Sequence, residues 1–189
     1  MNIIRKIKGR LGIPIYAKSE TEKVMHLCLP YCRGYGADVG FGGFKIKPDA
    51  IGIDLPQPYT KVGKYKVDIA CDLSKEKIPV PDNTYDYVYS SHLIEDFRDT
   101  IAVLKEFCRV LRSGGNLVLV FPDQVVYETY CAAKKESPNP HHAHPGMNLF
   151  FMLGKLGQMC MDNGVKSELL YFSNCTIDYN VILVVKIYK

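Results

Sequence analysis

The stretch ADVGFGGFKIKPDAIGIDL, residues 37–55, contains two short apolar runs separated by a glycine-rich segment. Continuous apolar runs of this length are typical of buried parallel strands, and an aspartate, Asp38 or Asp54, lies in each run. Glycines at the end of a strand let the backbone approach a ligand that a Cβ atom would exclude. The stretch therefore predicts two neighbouring strands with a ligand at their carboxyl ends.

The connection between these two strands is too short for a full helix. Only about nine residues lead from Phe41 to Asp49, and Pro48 is among them, whereas a parallel crossover usually needs a dozen or more. The N-terminus of a crossover helix is the usual binding site of a pyrophosphate. Its absence favours a cofactor that has a ribose and an adenine but no phosphate, such as S-adenosylmethionine, whose cationic sulfonium suits an acid-lined crevice.

Acidic residues follow three neighbouring predicted strands and should line one edge of that crevice. Asp38 belongs to the first strand, and Asp54 ends the second, where its carboxylate can accept both hydroxyls of a ribose. Asp72 follows the third strand and could accept a hydrogen bond from an adenine amino group.

The whole chain predicts an α/β fold: a Rossmann-like, seven-stranded, mostly parallel sheet with helices on both faces and an antiparallel C-terminal hairpin strand. A helix is expected between the fourth and fifth strands, where Ile101, Leu104, Cys108 and Leu111 recur at helical spacing before the SGG of residues 113–115. The last two strands are too close for a crossover and form a hairpin. The seven strand-like runs are residues 36–40, 50–54, 66–71, 85–90, 116–121, 168–173 and 180–188.

Length and composition indicate one globular domain over residues 1–189. Residues 1–33 are expected to form an N-terminal segment or cap, and residues 123–164 an excursion on the substrate side of the sheet. Seven scattered cysteines suggest reduced thiols and a cytoplasmic location, and a net charge of +4 is too weak to indicate nucleic acid.

The N-terminal residues 1–16 are basic with scattered isoleucines. We interpret them as a frayed first helix; a weak membrane-surface contact and a flap over an anionic ligand are alternatives. No apolar run reaches the roughly 20 residues that span a bilayer, so no transmembrane segment is expected.

Four motifs resemble those of class I S-adenosylmethionine-dependent methyltransferases of the type 11 kind. They are DVGFGG at 38–43, GIDL at 52–55, CDLSKEKIPVPDNTYDYVYSSHLIEDF at 71–97 and EFCRVLRSGGNLVLVFPD at 106–123. Phe44 stands where the family usually has a third glycine, and Asp96 stands where it usually has the histidine of a Glu-His pair. A subgroup with a shortened first crossover is similar throughout and also has Asn-Pro and close histidines after the fifth strand; several of its members are associated with glycan modification.

The resemblance implies a set of contacts to S-adenosylmethionine, the cofactor that becomes S-adenosylhomocysteine. The methionine part, the ribose, the adenine and the methyl group would each meet residues at the ends of successive strands. In that order they are Asp38, Gly40 and Gly42 for the methionine part, Asp54 and Leu55 for the ribose and adenine, Asp72 and Leu73 for the adenine, and Ser90 and Ser91 near the methyl donor.

Three histidines are candidate catalytic residues. His92 follows the fourth strand, where a near-neutral base could take a proton from a hydroxyl or amine. His142 and His144 belong to a group with His141 that could order a lid or contact substrate, supply a base, bind a metal, or be inert; we expect no metal site.

The predicted function is methyl transfer to a small-molecule or glycan-related acceptor by direct displacement at the sulfonium methyl. One alternative is an inactive methyltransferase-like binding or scaffold protein. The other is a nicotinamide-dependent oxidoreductase, suggested by the Tyr-x-x-x-Lys spacing of Tyr130 and Lys134 but opposed by the glycine pattern.

Overall fold

The computed structural model describes residues 19–59 and 61–189, so the alternatives predicted for residues 1–16 lie outside the described residues. Within that part of the chain, seven strands form one sheet in the order β3-β2-β1-β4-β5-β7-β6. The strands are β1 Gly36–Val39, β2 Ile51–Asp54, β3 Ile69–Ala70, β4 Tyr85–Ser91, β5 Leu111–Pro122, β6 Lys166–Ile177 and β7 Asn180–Tyr188. The helices are α1 Glu20–Cys28, α2 Thr100–Val110, α3 Gln124–Lys134 and α4 Leu149–Asn163, with 3₁₀ turns at Leu29–Tyr31 and Ile94–Asp96.

The predicted fold class is confirmed. Strands β1 to β5 pair in parallel, and β7 is antiparallel to both β5 and β6. Because β6 and β7 are separated only by Asp178 and Tyr179, they can only be joined as a hairpin. The parallel strands β1 and β4 are buried along almost their whole length, as strands covered on two faces must be.

Helices cover both faces of the sheet. On one face α2 and α4 pack on the strands and bury an apolar cluster that includes Leu104, Phe107 and Met152. On the other face α1 buries Val24 and Cys28 against β4, β5 and β7. Helix α1 starts at a side-chain cap, because Ser19 Oγ accepts a hydrogen bond of 3.0 Å from the Glu22 N–H.

The tyrosines of β4 show how a register shift sends equally spaced side chains to different faces. Tyr85, Tyr87 and Tyr89 alternate in the sequence and are all fully buried. The β4–β5 pairing shifts register between Tyr85 and Tyr87, and Tyr85 packs in the α2 and α4 cluster whereas Tyr87 and Tyr89 pack under α1. All three tyrosine side chains therefore pack in the core of the protein.

The predicted absence of a helix in the first crossover is also observed. Residues 40–50 form a series of turns, which are held from both ends by acidic side chains. Asp38 Oδ2 accepts a 2.6 Å hydrogen bond from the Ile46 N–H, and Lys45 pairs with Asp68, whose Oδ2 also accepts from the Gly52 N–H at 2.7 Å. Ionic and backbone contacts therefore replace the packing that a helix would supply.

Two predicted element boundaries are wrong. The strand predicted over residues 66–71 is reduced to Ile69–Ala70, because the preceding chain instead pairs with the glycine turn: Tyr65 N–H donates to Gly43 O at 2.9 Å. Helix α2 ends at Val110, and the SGG of residues 113–115 lies in a bulged first part of β5 rather than at the helix end.

Candidate functional site

A cavity of about 540 Å³ opens at the carboxyl ends of β1, β2 and β4. This is the edge at which open α/β sheets bind ligands, and the volume suits a ligand of cofactor size. One part, which we call the cofactor end, is lined by Gly40, Gly42, Asp54, Leu55, Asp72 and Leu73. The other part, which we call the acceptor end, is lined by Glu20, His92, Glu95, Asp96, Tyr127, His142 and Tyr179.

The glycine turn forms the floor of the cofactor end. Gly40 has φ +74° and Gly42 has φ +55°, a region that side chains with a Cβ atom rarely adopt. A Cβ atom on Gly40 would lie 2.7 Å from Leu93 Cδ2, so the turn has no room for one. The prediction that these glycines bring backbone up to a ligand agrees with their position in the cavity lining.

Asp54 links the turn to the second strand and keeps free acceptor capacity. Its Oδ2 accepts from the Gly42 N–H at 2.9 Å, and its Oδ1 accepts from the Leu55 N–H at 2.8 Å. Each carboxylate oxygen can accept about two hydrogen bonds, so both can still receive a ligand hydroxyl. Burial raises the pKa of Asp54, and the two backbone N–H groups oppose that rise.

Asp72 lies at the same edge, one strand further out. A hydrogen bond of 2.6 Å from Lys75 Nζ and two from Ser74 hold its carboxylate and lower its pKa to about 2. Asp72 is therefore ionised, and Leu73 beside it provides an apolar surface in the lining. Asp72 and Leu73 both line the cavity, and their contact with an adenine stays a prediction.

Two of the predicted cofactor residues do not line the cavity. Asp38 is fully buried behind the turn, where it holds the Ile46 N–H, and burial raises its pKa to about 8. Ser90 is also buried and donates to Val39 O at 3.0 Å, which ties β4 to β1. Only two of the three predicted acids therefore face the common hollow, whereas Ser91 does line it.

His92 is held in a way that contradicts the prediction of a near-neutral base. Its Nδ1 lies 3.1 Å from Glu95 Oε1 and its Nε2 lies 2.7 Å from Asn180 Oδ1. The Asn180 amide is oriented by its own Nδ2, which donates to Glu20 Oε2 and Ile177 O, so its oxygen faces the ring. Both ring nitrogens thus face acceptors and carry protons, leaving no lone pair for catalysis.

The pKa of His92 follows from this arrangement. Burial alone would lower it, but Glu95 and then Glu20 favour the imidazolium and raise the pKa to about 9. The residue also has φ +51°, an uncommon conformation for a side chain with a Cβ atom, and the two flanking acceptors hold it there.

His142 has the opposite protonation. Its Nδ1 lies 2.8 Å from Gln124 Oε1, and Gln124 is oriented because its Nε2 donates to Glu128 Oε1 at 2.9 Å. The Nδ1 atom is therefore the N–H donor, and burial lowers the pKa of the ring. A neutral imidazole with its proton on Nδ1 leaves the Nε2 lone pair facing Glu95 Oε1 at 3.9 Å.

His144 does not lie in the cavity lining. Its Nε2 is 2.8 Å from Phe97 O and 3.0 Å from Thr100 Oγ1, and its ring packs on Phe151. These contacts join the loop that carries His141, His142 and His144 to the start of α2 and to α4. His142 and His144 therefore have different surroundings, although they are only two residues apart in the same histidine group.

Several residues of the acceptor end were not predicted as site residues. Glu20 comes from the start of α1, Tyr127 from α3 and Tyr179 from the β6–β7 turn, while Gln124 of α3 contacts His142 from outside the lining. Glu95 lies in the 3₁₀ turn after β4, and the Glu-Asp pair of the HLIED segment was the signal in the sequence that pointed to it. The others approach from elements far apart in the chain, which no local pattern reveals.

The His141–His144 group forms no metal site in the structure. Across residues 19–59 and 61–189, no group of three His, Cys, Asp or Glu side chains could hold a metal ion. His141 instead packs its ring against Tyr59, at 5.4 Å between centroids, and Tyr59 Oη donates to Asp96 Oδ2 at 2.5 Å. The described part of the chain also contains no helix with the length and hydropathy that a bilayer crossing requires.

Comparison with solved structures shows the class of fold. An S-adenosylmethionine-dependent methyltransferase from Archaeoglobus fulgidus is similar with a TM-score of 0.61 and 16% identity, covering 98% of this chain and 100% of that one. A second one, from Mesorhizobium loti, has a TM-score of 0.58 and 12% identity, covering 89% and 98%. The chain therefore has the class I methyltransferase fold.

Sequence comparison finds a related domain in part of the chain. The family model described as a methyltransferase domain matches residues 38–119, which carry the glycine turn, Asp54, Asp72 and Glu95. With the fold, this match confirms the predicted resemblance to the class I S-adenosylmethionine-dependent methyltransferases over residues 38–119. Demethylmenaquinone methyltransferase of Listeria welshimeri is 35% identical over 81 residues, which is 39% of this chain. The match spans about a third of that protein, 34% of its length.

Proposed function

We propose that this protein binds S-adenosylmethionine in the cavity and transfers its methyl group to a small-molecule or glycan-related acceptor. The observation that carries the proposal is Asp54: a half-buried carboxylate at the tip of β2 whose two oxygens keep free lone pairs beside a glycine turn with no room for side chains. A ribose diol offers two donors at a spacing that such a carboxylate accepts.

The residues of the cofactor end fit the parts of the cofactor. Asp54 would hold the ribose, Leu55 and Leu73 would flank the adenine, and Asp72 would accept from the adenine amino group. Gly40 and Gly42 would let the methionine part lie against the backbone. Asp38 and Ser90 support these positions from behind, by fixing the turn and by joining β1 to β4.

S-adenosylmethionine supplies an electrophilic methyl group, and the protein aligns the acceptor with it and excludes water. Ser91 and the acceptor end lie beyond the glycine turn, where the acceptor would approach. His142 is the base that the geometry favours, since its Nε2 lone pair faces the cavity and Gln124 fixes its tautomer. His144 acts by holding the loop that carries His142.

The excursion over residues 123–164 contributes one side of the acceptor pocket. We propose that the excursion and the sheet belong to a single domain over residues 1–189. Tyr127, Asn139, His141 and His142 all come from this excursion and line the cavity. The Ala143 N–H donates to Glu95 O at 2.8 Å, which anchors its loop to the turn after β4. A cytoplasmic location agrees with the seven free thiols.

The alternatives have less support. A nicotinamide dinucleotide carries a diphosphate, but the crossover has no helix N-terminus to receive it, and Tyr130 and Lys134 do not line the cavity. A scaffold protein that had lost activity would have no need of a fixed His142 tautomer at the acceptor end.

Two measurements test the proposal. Calorimetry with S-adenosylmethionine and with NADH should show binding of the first alone, and binding of neither would favour the scaffold. Release of S-adenosylhomocysteine, measured against a panel of sugars, amines and small metabolites, should then identify turnover. Failure of every acceptor despite cofactor binding would contradict the proposed activity.

A further inference from the structure

Carboxylates dominate the charge of the cavity wall. Five acidic residues line it, and within the described part of the chain no lysine or arginine does. Lys23 and Lys75 pair with two of the acids from outside the lining, at 2.8 Å and 2.6 Å. The five acids are Glu20, Asp54, Asp72, Glu95 and Asp96. Such a wall repels carboxylate and phosphate groups and attracts cations.

Two acids of the wall, Glu95 and Asp96, have buried oxygens without a hydrogen-bond partner among the described residues, and Glu95 is the more deeply buried. Its side chain is 1% exposed, and Oε1 faces the His92 imidazolium at 3.1 Å. Its Oε2 has no hydrogen-bond partner among residues 19–59 and 61–189. A buried carboxylate oxygen without a donor is costly, and a donor on a ligand would remove that cost.

Glu95 and His142 together present acceptors to one space. His142 Nε2 lies 3.9 Å from Glu95 Oε1, and the tautomer fixed by Gln124 puts a lone pair on that nitrogen. A positively charged group with several N–H donors can lie beside this pair of acceptors and donate one hydrogen bond to each of them. A hydroxyl offers one donor and no charge.

Aromatic rings complete the acceptor end. The ring of Tyr127 lies 4.8 Å from that of Tyr179 and 5.0 Å from that of His142. The faces of tyrosine rings attract cations. Tyr179 is buried, donates its Oη to Glu20 Oε1 at 2.9 Å and already has Lys23 Nζ 5.5 Å from its ring, so Tyr127 is the ring of the pair that is left for a ligand.

We propose that the methyl acceptor is an amine, which binds as an ammonium ion that donates to Glu95 and to His142 Nε2 beside the ring of Tyr127. This inference rests on the proposed function, because it assigns the substrate class of the same cavity. Neither a glycan hydroxyl nor a nucleotide-sugar matches the acceptor end as well, since the first lacks the charge and the second carries phosphates.

The transfer balances with the groups present. His142 Nε2 takes one proton from the ammonium and leaves a neutral amine with a lone pair. That lone pair forms the new N–C bond while the C–S bond of the sulfonium breaks and its electron pair stays on sulfur. The products are a methylated ammonium and S-adenosylhomocysteine, and His142 passes its proton to solvent.

The test uses three matched probes, phenethylamine, 2-phenylethanol and 3-phenylpropionate, titrated into the protein saturated with S-adenosylhomocysteine. The amine should bind at least about tenfold more tightly than the other two. Equal or tighter binding of the alcohol or the carboxylate, or no binding of any of the three, would overturn the inference. Because the three affinities are measured on the wild-type protein, the result does not depend on whether a variant folds.

A variant then assigns the effect to Glu95. Glu95→Gln should weaken amine binding about tenfold and leave S-adenosylhomocysteine affinity within about twofold, while Glu136→Gln, on the exposed loop after α3, should change neither. An unchanged amine affinity in Glu95→Gln would count against the inference. If S-adenosylhomocysteine itself does not bind the wild type, the proposed function fails and this inference with it; if it binds and the amine is not preferred, only this inference fails.

Discussion

The side chains of Gln124 and His142 are joined by a hydrogen bond of 2.8 Å between Oε1 and Nδ1. Because Gln124 Nε2 donates to Glu128, its amide cannot turn without losing a partner, and His142 must carry its proton on Nδ1. Gln124, which lies in α3 outside the cavity lining, thus decides which ring nitrogen of His142 keeps its lone pair.

The variant Gln124→Glu should raise the pKa of His142, because a carboxylate at Nδ1 stabilises the imidazolium. Nitrogen-15 NMR titration of the histidine rings measures this directly and requires no acceptor. The other charged groups that face His142, namely Glu95, Asp96, Glu128 and His92, remain unchanged. The control Gln158→Glu makes the same chemical change on the exposed face of α4 and should leave the titration unaltered.

The two cavity histidines should differ in charge at pH 7.5. His92 should show protons on both ring nitrogens, because Glu95 outweighs burial and raises its pKa to about 9. His142 should be neutral with its proton on Nδ1. The same NMR spectra assign both states, with His92→Asn and His142→Asn identifying the signals. A neutral His92 at this pH would show that the Glu95 ion pair does not form.

Asp38 should make stability fall as pH rises. Burial raises its folded pKa from about 3.8 to about 8, so between these values the folded state binds more protons than the unfolded state, and stability is lost with rising pH. The variant Asp38→Asn lacks this loss, so its stability relative to wild type should improve steadily from pH 5 to pH 8. Urea unfolding across that range measures it, and Asp162→Asn on α4 should show no trend. A constant difference between Asp38→Asn and wild type would refute the assignment.

Gly40→Ala should damage both the fold and the cofactor end. The new Cβ atom would lie 2.7 Å from Leu93 and φ is +74°, so we expect a loss of about 1–3 kcal/mol in the free energy of unfolding and weaker S-adenosylmethionine binding. Gly157→Ala, in the interior of α4 with open space around it, should instead gain roughly 0.5–1 kcal/mol. Both are measured by urea unfolding, and equal effects would contradict the structural argument.

The fold was predictable because its signals are local. Continuous apolar runs marked the buried strands, and the nine-residue link at Pro48 excluded a helix from the first crossover. The cofactor end was predictable in part for the same reason, since Gly40, Asp54 and Asp72 each follow directly from a strand end.

The errors concern where side chains point. Asp38 and Ser90 lie near strand ends like their neighbours, but their side chains do not reach the cavity. Asp38 accepts a hydrogen bond from the Ile46 N–H of the turn, and Ser90 donates one to the Val39 carbonyl of β1. The protonation of His92 depends mainly on Glu95, three residues away, but also on Asn180, 88 residues away. Tertiary contacts of that kind produce no periodic pattern in the sequence, so most residues of the acceptor end could be identified only from the structure.

The most direct test of the central claim is calorimetric titration of S-adenosylmethionine into wild type, Asp54→Asn and Asp49→Asn. Wild type and Asp49→Asn, whose carboxylate is in the same crossover but outside the cavity, should bind alike, and Asp54→Asn should bind roughly tenfold to a hundredfold more weakly because the ribose loses a charged acceptor. Equal affinity in all three proteins, or binding of NADH in place of S-adenosylmethionine, would contradict the account.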